Sequence, residues 1–270
     1  MDFRRIEIIF LIVFIALDIF LFASYNHSRE SVVMTGNNNT HTTIAKDMNR
    51  DNINGVKLSS KQGQGYYLSA KDNTVLKDDQ NRLKDQVVSY NDSQGQLTSV
   101  LDEPVSIKGR SAVKTINKHL NKTSDVLYGN KYVYSKDLSS ANTIVYVQKL
   151  DSGVVYDQSG RLEFQIVGNR IVSYTQNYII KPSILREKQT TISAQKAVNN
   201  LYVNNEIPAN SQIKWVNKAY AKLLRVEDST IYIPVWYVGY TTKGTNNMQT
   251  RYVNAFSGAV IKDSSGQSRK

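Results

Sequence analysis

With 270 residues, no cysteine and three histidines, the chain is long enough for one large core or two small ones, but it holds no disulfide, thiolate metal site or cysteine nucleophile. Its net charge of +11 favours anionic surroundings, whether lipid headgroups, anionic wall polymers or an acidic partner. The charge sits in the body of the chain: from Gly55 onward, 29 Lys+Arg against 17 Asp+Glu leave +12.

Residues 1–5 read as a cytoplasmic stub. Residues 6–23 form an apolar run broken only by Glu7 and Asp18. A membrane-spanning helix takes about 20 mostly apolar residues, so residues 6–25 are expected to cross a membrane once. Arg4 and Arg5 precede the run, and the positive-inside rule then keeps the N-terminus in the cytoplasm and exports everything after Tyr25. A cleaved signal peptide shares this basic start and apolar middle, but Tyr25 stands where its cleavage site needs a small residue. The expectation is an uncleaved, single-pass plasma-membrane anchor with an extracellular C-terminal domain. Export also argues against nucleic acid as a partner.

Within the anchor, positions 7 and 18 are eleven apart and differ by about 20° after three turns. Glu7, Leu11, Phe14, Asp18 and Phe22 therefore share a stripe. An ionised Asp near the bilayer centre costs roughly 2.5–3.5 kcal/mol on insertion scales. The stripe is thus a candidate docking face for another membrane helix that offers a donor; the bland reading is an Asp18 that is neutral or reaches the outer headgroups.

Residues 26–54 are rich in Asn, Ser, Thr and Asp and read as a stalk, flexible or partly helical around Ile44-Ala45-Lys46-Asp47-Met48. Residues 55–182 and 183–265 then form two extracellular α+β subdomains, and residues 266–270 a disordered tail. In the first, residues 110–121 predict a helix with Val113, Ile116 and Leu120 on one face and Lys114, Lys118 and Lys122 on another. Strands are predicted at 132–134, 144–147, 154–156, 162–167 and 170–180, with Gly168-Asn169 as a hairpin turn.

The scheme recurs in the second subdomain. Residues 191–204 predict a helix with Thr191 or Ser193 as cap. Residues 213–224 alternate, with Lys214, Lys218 and Lys222 opposite an apolar side; a helix would also align these lysines, but the Tyr and Val content favours a strand. Strands at 230–240 and 251–261 follow, and Pro234 is expected at an edge or bulge because it has no N–H to donate.

Catalytic groups do not converge in the sequence. Asp78-Asp79, Asp102-Glu103 and Glu227-Asp228 are neighbours that read as solvated turns. Nothing ties His119 to a serine. Gly63-Gln64-Gly65 lacks the helix that follows a phosphate loop and reads as a turn. No enzyme, metal site or cofactor is expected. The two lysine trios form a candidate basic surface for an anionic wall polymer or an acidic partner, or simply a solubilising face.

Five segments occur together in order: Phe3-Arg4-Arg5 before an anchor centred on Leu17-Asp18-Ile19-Phe20-Leu21; Tyr66-Tyr67-Leu68-Ser69-Ala70; Ile171-Val172-Ser173-Tyr174-Thr175-Gln176; Ile233-Pro234-Val235-Trp236-Tyr237-Val238; and Tyr252-Val253-Asn254-Ala255-Phe256-Ser257-Gly258. The set resembles the YycI (WalI) family, relatives of YycH in low-GC Gram-positive bacteria, over nearly the whole chain. That resemblance implies a non-enzymatic regulator beside the sensor histidine kinase of the two-component system controlling cell-wall metabolism. It implies action with a YycH-like partner through transmembrane helix contacts, in a homo- or hetero-oligomer, and α+β subdomains like those of YycH. The final helix-plus-strands unit is also similar to PepSY domains, so the second reading is an extracellular module that binds or inhibits an exported protease or wall ligand.

Overall fold

A computed structural model describes residues 3–32, 38–107, 111–245 and 247–261, with side chains described from residue 43 onward and, before it, at residues 7, 8 and 10–22. The expected tail at 266–270, the stub residues 1–2 and Arg110 lie outside the described residues. The chain divides into two compact units, residues 1–52 and 53–270. In the first, α1 runs Phe3–Val32 and α2 runs Asn38–Arg50. The polar stretch expected as a stalk therefore contains a helix, closed at its C-terminal turn by an Arg50–Asp47 ion pair at 3.1 Å. Among the described residues no helix is long and apolar enough to cross a membrane.

The second unit is sheet-rich α+β. Its first strands are β1 Asn54–Gly55, β2 Gly63–Gly65, β3 Leu68–Lys71, β4 Gln86–Asn91 and β5 Gln96–Ser106. Next come β6 Tyr132–Tyr134, β7 Thr143–Leu150, β8 Gly153–Val155, β9 Arg161–Val167 and β10 Arg170–Asn177. The last are β11 Ser183–Ile184, β12 Gln189–Thr191, β13 Ser211–Val226, β14 Ser229–Thr242, β15 Gln249–Asn254 and β16 Val260–Ile261. Three helices join them: α3 Val75–Asp78, α4 Ala112–Leu120 and α5 Ala194–Val203.

A helix followed by antiparallel strands occurs twice, as α4 with β6–β10 and as α5 with β13–β16. Both sets belong to one sheet, ordered β11-β3-β14-β13-β8-β7-β9-β10-β5-β4. The join is a parallel bridge between Val155 and Tyr220, reinforced by Tyr156 N–H donating to Tyr220 O at 3.2 Å. Among the described residues, β2 and β12 form a separate two-stranded sheet.

Local chemistry accounts for the ends of these elements. Gly168 and Asn169 both take positive φ (55° and 59°) between paired Val167 and Arg170, the geometry of the primed turn that matches strand twist. Ser193 caps α5, its Oγ accepting from Lys196 N–H at 3.1 Å. The helix predicted from residue 191 thus begins three residues later, because Thr191 is held in β12. Strand β10 ends at Asn177, not at 180, because the buried Gln148 side chain takes both backbone groups of Ile179, donating to its O at 2.7 Å and accepting from its N–H at 2.8 Å.

Three expectations need correction. Pro234 lies inside a central strand: β3 pairs with β14 as far as Tyr232 and β15 takes over at Val235, so the missing N–H falls at the handover while Pro234 O accepts from Ala255 N–H at 3.0 Å. Gly63-Gln64-Gly65 is a strand rather than a turn, because it pairs with residues 189–191. Asp102 and Glu103 also lie in a strand, β5, not in a turn.

The cores lie on both sheet faces. On one, Ile116 and Leu120 of α4 pack with Leu97, Tyr146, Leu162, Phe164 and Tyr174. On the other, Val145 and Val147 meet Trp215, Ala219, Ile233, Val235 and Tyr237. Burial of each such aliphatic side chain is worth about 1.5–3 kcal/mol.

Candidate functional site

The α1 stripe is continuous in the backbone, since one helix carries Glu7, Leu11, Phe14, Asp18 and Phe22. All five are exposed, Leu11 at 61% and Phe22 at 68%. Exposure is not confined to the stripe, because Phe10, Ile12, Val13, Ile15, Leu17 and Ile19 are also open. What distinguishes the stripe from the rest of the apolar run 6–23 is its two carboxylates.

The lysines fall on two elements. Lys114 and Lys118 project from α4, and Lys122 lies just beyond its end. Lys214, Lys218 and Lys222 lie four apart on β13, which settles the strand-or-helix alternative. All six are exposed. Among the described residues no hydrogen bond or ion pair joins the trios. Lys218 alone is drawn inward: its Nζ donates to Gln64 O at 2.9 Å, and burial, with Lys188 nearby, lowers its pKa. Lys222 lines a polar cleft of about 660 Å³ with Lys71, Asp72, Tyr90, Asp92 and Arg225, in which Arg225 is already paired with Asp72.

A second cleft, of about 490 Å³, opens where β5 leaves β10. Pairing between these strands jumps from Val100–Ser173 to Val105–Ile171. Residues 101–104, ending in Pro104, are left out of the ladder with β10. Leu101, Ile116, Val126 and Phe164 line the cleft together with Asp85, Asp102, Glu103, His119 and Asp125. Gln86 ties its wall together, with Nε2 donating to Ser124 O at 3.1 Å and Oε1 accepting from Tyr174 Oη at 3.0 Å.

His119 does find a partner: its Nδ1 is 2.7 Å from Asp125 Oδ2, while Ser124 Oγ donates to Asp125 Oδ1 at 2.8 Å. Histidine and serine both address the same carboxylate and not each other, so the nucleophile–base contact of acyl-transfer chemistry is not made here. Among the described residues no three His, Asp or Glu side chains are grouped to hold a metal. Sequence reasoning missed Lys188, Gln86 and the 101–104 excursion; Pro104, which cannot donate to a ladder, was the available signal for the last.

A family model described as YycI protein matches residues 33–256. The chain belongs to the YycI family. The match covers the whole described sheet up to Phe256 and begins after α1. No curated protein matches the chain. Among solved structures it is similar to YycH from Bacillus subtilis, at 13% identity and TM-score 0.47, over 72% of this chain and 53% of that one. It is also similar to an uncharacterized protein from Eubacterium rectale (9%, 0.46, 78% and 89%) and to the C-terminal domain of YpeB from Bacillus megaterium (12%, 0.38, 84% and 96%).

Proposed function

We propose that this YycI-family chain is a non-catalytic, single-pass plasma-membrane regulator. It acts on the sensor histidine kinase of the two-component system controlling cell-wall metabolism, together with a YycH-like partner. The observation that carries the reading is α1: large apolar side chains are exposed all round it, and only a lipid or protein environment removes that surface from water. Family membership supports the regulatory role. The cleft between β5 and β10 supports the non-catalytic one, since His119 and Ser124 both engage Asp125 and not each other.

The contact that transmits the signal runs along Glu7, Leu11, Phe14, Asp18 and Phe22. Asp18 is poorly placed facing lipid and well placed facing a donor on a neighbouring helix. Asp18→Leu keeps the helix apolar while removing the polar anchor. It is expected to abolish co-purification of the full chain with the kinase and the YycH-like protein while leaving membrane insertion unchanged. Co-purification at the native level would refute the stripe as the contact face.

A further inference from the structure

The cleft where β5 leaves β10 has a make-up that the regulatory reading does not use. Its floor is apolar: Ile116, Val126, Phe164 and Ile171 are buried in the core, yet they border a space of about 490 Å³, within the size range of ligand pockets. Its rim is acidic. Asp85, Asp102 and Glu103 are exposed and form no ion pair among the described residues, while Asp125 is held by His119 and Ser124. Four carboxylates against the single ammonium of Lys84 leave the lining at −3 with His119 neutral.

The sign is reversed against the body of the chain, which carries +12 from Gly55 onward. Such a field repels a small free cation but not a basic group carried on a neutral or acidic chain. The floor adds a second requirement, because a cation alone would leave the apolar side chains facing water. The broken ladder adds a third. β5 keeps β4 on one side, with Leu101 opposite Gln86 and Asp102 N–H donating to Asp85 O at 3.1 Å. On its other side residues 101–104 have no partner in β10, and a strand open along one side is a template for an incoming peptide backbone.

We infer that this cleft docks a polypeptide segment of a partner protein that presents an arginine or lysine beside a large apolar residue. The apolar side chain covers Ile116 and Phe164, the cation lies among Asp85, Asp102 and Glu103, and the backbone runs along residues 101–104. The site lies wholly within the sheet unit and does not depend on the contact proposed for α1.

The test is isothermal titration calorimetry of acetyl-Phe-Arg-amide into the full chain in phosphatidylcholine nanodiscs, referenced to empty nanodiscs. Saturable one-to-one binding is expected. Citrulline in place of the arginine keeps the shape, removes the charge and should weaken binding about tenfold. Acetyl-Gly-Arg-amide leaves the floor uncovered and should also bind about tenfold less tightly. Asp102→Asn with Glu103→Gln should weaken binding about five- to tenfold, each exposed charge contributing modestly. Asp151→Asn, the same kind of change in the turn between β7 and β8, should alter it by less than about twofold. Val105 lines the cleft, so Val105→Trp should fill it and abolish binding with far-UV circular dichroism unchanged. Phenethylguanidine offers the ring and the cation without a backbone and should bind about tenfold more weakly than the dipeptide. Binding of that compound as tight as the dipeptide's would assign the cleft to a small amphiphilic cation and overturn the polypeptide. Absence of saturable dipeptide binding would overturn the site itself. So would undiminished affinity for the citrulline or glycine peptide, undiminished binding by the Asp102/Glu103 double variant or by Val105→Trp, or an equal loss in Asp151→Asn.

Discussion

Gln148 offers a direct test of how the sheet is held to the segment that leads into its second half. The residue is 2% exposed on β7, and its amide replaces a strand for Ile179, donating at 2.7 Å and accepting at 2.8 Å. Gln148→Leu keeps the volume and removes both bonds together. Ile179 is 4% exposed, so its N–H and C=O would then be buried without partners, at about 1–3 kcal/mol each. Leucine recovers about 1 kcal/mol through apolar burial, leaving a net loss of about 1–5 kcal/mol. At roughly 2–4 °C per kcal/mol for a unit of this size, the melting temperature should fall by about 2–20 °C. Urea denaturation followed by tryptophan fluorescence gives the free energy, and thermal circular dichroism gives the shift. Gln165→Leu, which loses only the half-buried bond from Thr143 at 3.2 Å, should cost less than about 1 kcal/mol. A Gln148→Leu loss no larger than that of Gln165→Leu would refute the clamp.

Two further outcomes follow from packing and protonation. A Cβ at Gly239 would lie 2.2 Å from Trp215 Cε2, so Gly239→Ala should destabilise the unit by about 1–3 kcal/mol through overpacking and shift Trp fluorescence; an unchanged melting curve would contradict this contact. Burial pushes the Tyr232 hydroxyl up to about 12 and raises those of Tyr132, Tyr146 and Tyr174 as well. Their protons are held more tightly in the folded chain than at the unfolded value of about 10. The stabilisation is therefore complete below pH ~10 and is lost as pH rises through about 12. Circular dichroism should report unfolding in that window, alongside rising tyrosinate absorbance; full tyrosine ionisation near pH 10 with the fold intact would contradict it.

The sequence carried local information well wherever one residue type dictates geometry. Gly168-Asn169 made its turn because both residues tolerate positive φ, Ser193 capped α5 because its hydroxyl reaches Lys196 N–H, and β13 was legible from the alternation around Trp215. What it did not carry was pairing between distant segments. Pro234 reads as an edge signal in isolation, and only the meeting of β3 and β15 beside β14 shows how a central strand accommodates it. The cleft where β5 leaves β10 draws on residues 84–86, 101–105, 116–126 and 164–174, which no periodicity connects. Lys218 was visible in its lysine row, but that row alone pointed to a uniform basic face, and its bond to Gln64 O comes from a segment 154 residues away.

The central proposal is that the message passes through α1. Its most direct test uses cells lacking the protein, with expression of the genes under the cell-wall two-component system as readout. One chimera carries residues 1–30 on an inert exported domain; the other exports residues 31–270 without the apolar run. The account predicts that the anchor chimera restores regulation and that its Asp18→Leu version does not. Restoration by the exported 31–270 segment alone, with the anchor chimera silent, would contradict it.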